Sequence, residues 1–132
     1  MTDNISKLVK IVLLFNSVAA FIFGFLYLVI PGIYANLEDA LYFDPYYWRA
    51  FGATLIILGV FALIVVTRAD MRQIELLIEI AIAWVSVIIL LDFWQLIVFP
   101  LSPTYRIHTW INTILLIVLD CVNIFTYIQI KK

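Results

Sequence analysis

Residues 71–99 read MRQIELLIEIAIAWVSVIILLDFWQLIVF, and their only charged residues are Arg72, Glu75, Glu79 and Asp92. A bilayer hydrocarbon core about 30 Å thick is crossed by about 20 predominantly apolar helical residues, so this stretch is long enough and apolar enough to span a membrane. Its ends carry helix signals. Upstream, Asp70-Met71-Arg72-Gln73 has the form of a capping box, in which Asp70 accepts from backbone N–H groups and Gln73 reaches back. Downstream, Pro100-Leu101-Ser102-Pro103 stops the helix and starts another, with Ser102 as cap and Pro103 at the first helical position. That next span is predicted over 103–130.

Toward the N-terminus, Asp44-Pro45 supplies a cap followed by proline, so a second span is predicted over 45–67. Its first turn holds Tyr46, Tyr47 and Trp48, rings that prefer the headgroup level. A first span over 7–30 stops at Pro31-Gly32. This run is about twice the length of a signal-peptide h-region and lacks an Ala-x-Ala cleavage site, so it is expected to be retained. Between the first two spans, residues 33–43 place Ile33, Leu37 and Leu41 near one face and Glu38 and Asp39 on another. That pattern suits a short interfacial helix, with a plain loop as the alternative.

Composition agrees. Of 132 residues, 66% are hydrophobic and 13% charged, against about 25% charged in a soluble domain, and mean hydropathy is +1.13. The predicted fold is all-α: one transmembrane domain over residues 1–132, an integral membrane four-helix bundle of up-down topology. Lys7, Lys10, Arg68, Arg72, Lys131 and Lys132 fall on one side, and only Arg49 and Arg106 on the other. The excess of basic residues on cytoplasmic loops then predicts both termini in the cytoplasm. The expected partners are the lipid bilayer and other membrane-protein subunits or a second copy. A net charge of −1 gives no basic stripe for nucleic acid.

The chemistry available is narrow. His108 is the only histidine and Cys121 the only cysteine, which excludes bis-histidine haem, an ordinary zinc site and an internal disulfide. Cys121 reads as a small core residue. No Ser/His/Asp triad or Gly-rich phosphate loop can be assembled, so neither an enzyme nor a cofactor is expected.

An ionisable group at the bilayer centre costs at least about 2.5 kcal/mol, so each must face a partner, water or the bundle interior. On the third span Glu75, Glu79, Ala83 and Ser86 share a face, and on the fourth Asn112, Leu116, Asp120, Asn123 and Tyr127 do so. At 1.5 Å per residue, Asn16, Glu79, Asp120 and Asn123 all fall about 9–17 Å into the membrane. They form the candidate intramembrane site, in which Glu79 and Asp120 could bind a proton, a cation or a polar headgroup. The competing structural reading has Glu75 and Glu79 reach the surface beside Arg68 and Arg72, while Asn16 and Asn123 tie Asp120. A second set, Arg49, Asp92, Gln95, Arg106 and His108, lies toward the other end. Arg49 with Asp92 is its expected ion pair, either locking two spans together or lining a pocket for an anionic or polar headgroup.

Small residues mark close helix approach: Ala20 and Gly24 on the first span after Asn16 and Ser17, and Gly52, Gly59 and Ala62 on the second. Trp48, Trp84, Trp94 and Trp110 read as belt or core residues, a flat hydrophobic ligand such as a quinone or sterol being the lesser reading.

Tyr27 to Gly32 (YLVIPG), Asp44-Pro45 followed by Trp48-Arg49-Ala50-Phe51-Gly52, and the late polar fourth span together resemble the small four-helix membrane proteins called DoxX-like. The resemblance spans most of the chain. It implies a four-helix bundle and association with redox or lipid-linked membrane complexes, and it carries over no catalytic residue. The scaffold family of ergosterol biosynthesis has a similar helix arrangement. The function expected from the sequence is a non-catalytic accessory or scaffold subunit of a membrane complex. The alternative is binding or transport of a proton, ion or lipid- or quinone-like molecule through the carboxylate layer.

Overall fold

The computed structural model describes residues 2–68 and 70–132, with the side-chain surroundings of residues 2–6, 68 and 71 outside that description. The described residues form five helices: α1 (Thr2–Leu28), α2 (Pro31–Glu38), α3 (Pro45–Arg68), α4 (Met71–Val98) and α5 (Pro103–Lys131). All but α2 are long and apolar enough to cross a membrane. Phe15, Phe25, Phe61, Leu90, Ile97 and Phe125 all point outward. Such surfaces suit lipid rather than water and mark a multi-pass helical membrane protein.

Local chemistry sets the helix ends. Asp70 accepts from the Gln73 N–H at 3.0 Å while the Asp70 N–H donates to Gln73 Oε1 at 3.3 Å, completing the capping box. Ser102 caps α5 by accepting from the Tyr105 N–H, and Asp44 accepts from the Tyr46 N–H ahead of Pro45. The short helix differs from expectation. It starts at Pro31, because proline is tolerated in a first turn, and it ends where Asp39 takes a left-handed conformation with φ 56°. Its faces are also set by lipid: Ile33 and Leu37 are 60% and 64% exposed, whereas Glu38 is turned inward and 6% exposed.

The helices pack as two pairs. α1 and α3 approach closely because Gly24 and Gly52 lie at their contact. A Cβ at Gly52 would sit 2.5 Å from the Leu28 backbone nitrogen and 2.9 Å from the Gly24 carbonyl oxygen. Further along, Ser17 donates to the Gly59 carbonyl at 2.9 Å. α4 and α5 run antiparallel and are joined by polar links: Glu75 with Lys131, Glu79 with Tyr127, Ser86 with Asp120, Asp92 with Thr113, and Gln95 with Tyr105. α1 meets α5, while α3 and α4 have little contact. At the end carrying Lys7, Lys10 and Arg72, Val9, Leu13, Ile74 and Ile78 form a core packed against Val65, Val66 and Ile130, which closes the bundle there. Cys121 is exposed on α5, outside this core, because the inward face of α5 is taken by Asp120 and Asn123.

Gly52→Ala should destabilise the protein by about 1–3 kcal/mol, since the added methyl meets backbone that has no rotamer to change. Gly32→Ala, whose Cβ would find only Phe43 at 3.9 Å, should leave stability unchanged. Thermal unfolding of both variants in detergent checks the contrast.

Candidate functional site

The loose contact between the two helix pairs leaves a partly open cavity of about 460 Å³ among all four long helices, its rim including the exposed Phe15, Leu115 and Val118. The sequence makes room for it with alanine: Ala19, Ala20, Ala62 and Ala81 stand on the wall where longer side chains would fill the space. Helical spacing aims the rest. Trp84, Ile88 and Asp92 follow one another at four-residue intervals on α4, as do Asn112 and Leu116 on α5, so each set lines the same wall. Phe51 of α3 stacks on Trp84 with ring centroids 6.0 Å apart and planes inclined by 17°. Tyr27 of α1 meets Phe51, Trp48 and Tyr34 at 5.0, 5.0 and 5.3 Å, closing that end with aromatic rings.

The wall is apolar except for Asn16, Tyr27, Asp92 and Asn112. One of these, Asn112, lacks a partner, and another, Asp92, shares one. Among the described residues nothing hydrogen-bonds to the Asn112 side chain. Asp92 Oδ2 lies 3.0 Å from the Thr113 hydroxyl, but that hydroxyl also lies 2.7 Å from the Thr109 carbonyl and has one proton for two acceptors. Both residues are half-buried, so these polar groups face the cavity with hydrogen-bonding capacity to spare.

Beside Asp92 lies a polar cluster that joins α2 to the bundle. Burial pushes the Glu38 carboxyl up from its ordinary range; the Tyr34 hydroxyl and His108 oppose the shift, and the field of Asp92 adds to it. Burial and the hydrogen bond with Glu38 push the Tyr34 hydroxyl up as well. Gln95 donates to the Tyr105 hydroxyl at 2.9 Å in the same region.

The intramembrane residues singled out from sequence separate into three contacts. Asn16 and Asn123 form a reciprocal amide pair, at 2.8 and 3.2 Å, with Asn16 also donating to the Val12 carbonyl. Asp120 is buried and accepts from Ser86 at 2.8 Å, leaving Oδ1 without a partner. Glu79 accepts from Tyr127 at 2.8 Å on the exposed side of α4. No hydrogen bond among the described residues joins Glu79 to Asp120, or either to the asparagines. The Arg49–Asp92 ion pair does not form. α3 packs on α1 rather than α4, so Arg49 is carried outward beside Val29, Phe43 and Pro45. The ion pair seen among the described residues is Glu75 with Lys131, not Glu75 with Arg72. Gln95, His108 and Asp92 do gather at one end, while Arg106 is exposed.

Sequence reasoning missed the roles of Glu38, Tyr34 and Thr113. The four-residue spacing of Trp84 and Asp92 was a usable signal for the cavity wall; the burial of Glu38 had none, since it follows from how α2 docks. Among the described residues no three His, Cys, Asp or Glu side chains come together as a metal site. Comparison with family models, curated proteins and solved structures finds no match to this chain.

A carboxyl whose folded-state pKa is raised binds more protons folded than unfolded, so its contribution to stability is lost as pH rises through the raised value. Unfolding temperatures measured from about pH 4 to about pH 8 should therefore fall less steeply with pH in Glu38→Gln than in the parent chain. Equal slopes would mean that Glu38 is not buried.

Proposed function

We propose that this chain is a non-catalytic, multi-pass binding protein that holds a lipid-like molecule inside its helix bundle. The observation that carries this reading is the cavity. Its volume of about 460 Å³ falls within the roughly 300–1,000 Å³ of small-molecule sites, which favour the space between the helices of bundles. It equals the share of about fifteen waters at about 30 Å³ each, yet its wall gives water few partners. A hydrophobic molecule with one polar end matches it. The wall residues include no serine, cysteine, histidine or lysine, which supports binding rather than bond-making.

An accessory or scaffold role draws on small-residue faces and lone polar groups suited to helix association. Gly24, Gly52 and Gly59 are engaged between α1 and α3, so these glycines offer no free face to another subunit. The resemblance to DoxX-like proteins, with their lipid- and quinone-linked complexes, is compatible with a lipid-like ligand. The topology proposed is up-down with both termini cytoplasmic, on the strength of the short links and the distribution of Lys and Arg.

Native mass spectrometry of the chain extracted gently from its own membrane should show a retained small hydrophobic molecule. Ala81→Phe, which fills the cavity, should lose it. Retention of a protein partner with no small molecule in the parent chain would overturn the proposal. Sidedness is checked separately. With Cys121 replaced by Ala, a membrane-impermeant thiol reagent should label Arg106→Cys in intact cells and spare Lys132→Cys.

A further inference from the structure

The cavity has a charge character as well as a shape, and it selects among hydrophobic ligands. Asp92 stands on the wall with an incomplete set of donors, because Thr113 has one proton to divide between Asp92 and the Thr109 carbonyl. No basic side chain lies on the wall: its residues include neither Lys nor Arg, and Arg49 and Arg106 are exposed elsewhere. Glu38 is close enough for its carboxyl to feel Asp92, so the region is acidic, with His108 its one basic neighbour. A carboxylate within the apolar region needs a counter-charge or a donor, and the chain supplies neither in full. An anionic head would be repelled there.

The remaining walls fit the same conclusion. Tyr27, Phe51 and Trp84 bring aromatic rings to the cavity, a broad apolar surface for the body of a hydrophobic ligand. Asn112, whose side chain has no hydrogen-bond partner among the described residues, lines the same wall, and its amide oxygen can accept an N–H. Trp84 and Asp92 are two helical turns apart, about 12 Å along α4, and the wall away from Asp92 is formed by Leu13, Leu55, Leu58 and Leu77. A charged end can sit near Asp92 while an alkyl or ring system occupies the leucine-lined part.

Resting on the cavity reading above, we infer that the ligand is a hydrophobic ammonium ion, with its N–H groups on Asp92 and Asn112 and its apolar body against Trp84, Phe51 and the leucines. The coincidence, on one apolar cavity, of a carboxylate that shares its only hydroxyl donor and an amide without a hydrogen-bond partner among the described residues distinguishes this class from fatty acids, anionic lipids and neutral alcohols.

The test compares three molecules of one chain length. Decylammonium, decanol and decanoate are titrated calorimetrically at neutral pH into the full chain in lipid nanodiscs, with empty nanodiscs as the partition blank. Decylammonium should bind at least about tenfold more tightly than either of the others. Asp92→Asn should bring its affinity down to that of decanol while leaving decanol unchanged, and Trp84→Leu, which alters only the wall against the apolar body, should weaken decylammonium and decanol alike. Equal binding of all three would overturn the inference and leave the cavity reading standing. Binding by none would overturn both. Should Asp92→Asn fail to fold, the head-group comparison on the parent chain still decides.

Discussion

The reciprocal hydrogen bonds between Asn16 and Asn123 join two helix pairs that otherwise meet through few specific contacts. Each amide gives and receives, and Asn123 is fully buried, so its amide depends on Asn16. In lipid, polar groups must be satisfied within the protein, and interhelical hydrogen bonds of this kind contribute about 0.6–2 kcal/mol. That is a modest sum, but it is directional. It fixes the level at which α1 crosses α5, above the core of Val9, Leu13, Ile74 and Ile78, and leaves the helices apart beyond it. The cavity lies between this fastening and the cluster of Tyr27, Tyr34 and Glu38 at the other end.

Each pair is itself held by a different physics. α1 and α3 come together through missing side chains: glycine at 24 and 52 lets backbones approach to distances that a methyl would forbid. α4 and α5 instead use side chains that reach across, from Glu75 with Lys131 at one end to Gln95 with Tyr105 at the other. A close-packed pair facing a polar-laddered pair does not interdigitate fully, and Ala20 and Ala81 on facing walls deepen the gap. The cavity follows from that mismatch, since a bundle packed to uniform density would leave no such space.

The arrangement also explains why the carboxylates of the chain behave separately. Asp120 and Glu79 lie on helices whose ladder hands each its own hydroxyl partner, Ser86 and Tyr127. Asp120 keeps one oxygen unpartnered, but of these three only Asp92, which shares the Thr113 hydroxyl with the Thr109 carbonyl, stands on the cavity wall.

The sequence by itself determined the four long helices, because a run of apolar residues long enough to cross a bilayer has few alternatives. It also determined their starts at Asp44-Pro45, Asp70 and Ser102, because caps are chosen by neighbours within one turn. Local rules carry that far. Tertiary structure alone decided which helices pair, and with that the fate of every polar residue: Asn16 and Asn123 brought together, Glu79 sent outward, Arg49 parted from Asp92, Glu38 turned in. The spacing of residues on one helix fixes which of them share a face, but not which helix that face will meet, since that depends on the packing of all four helices at once.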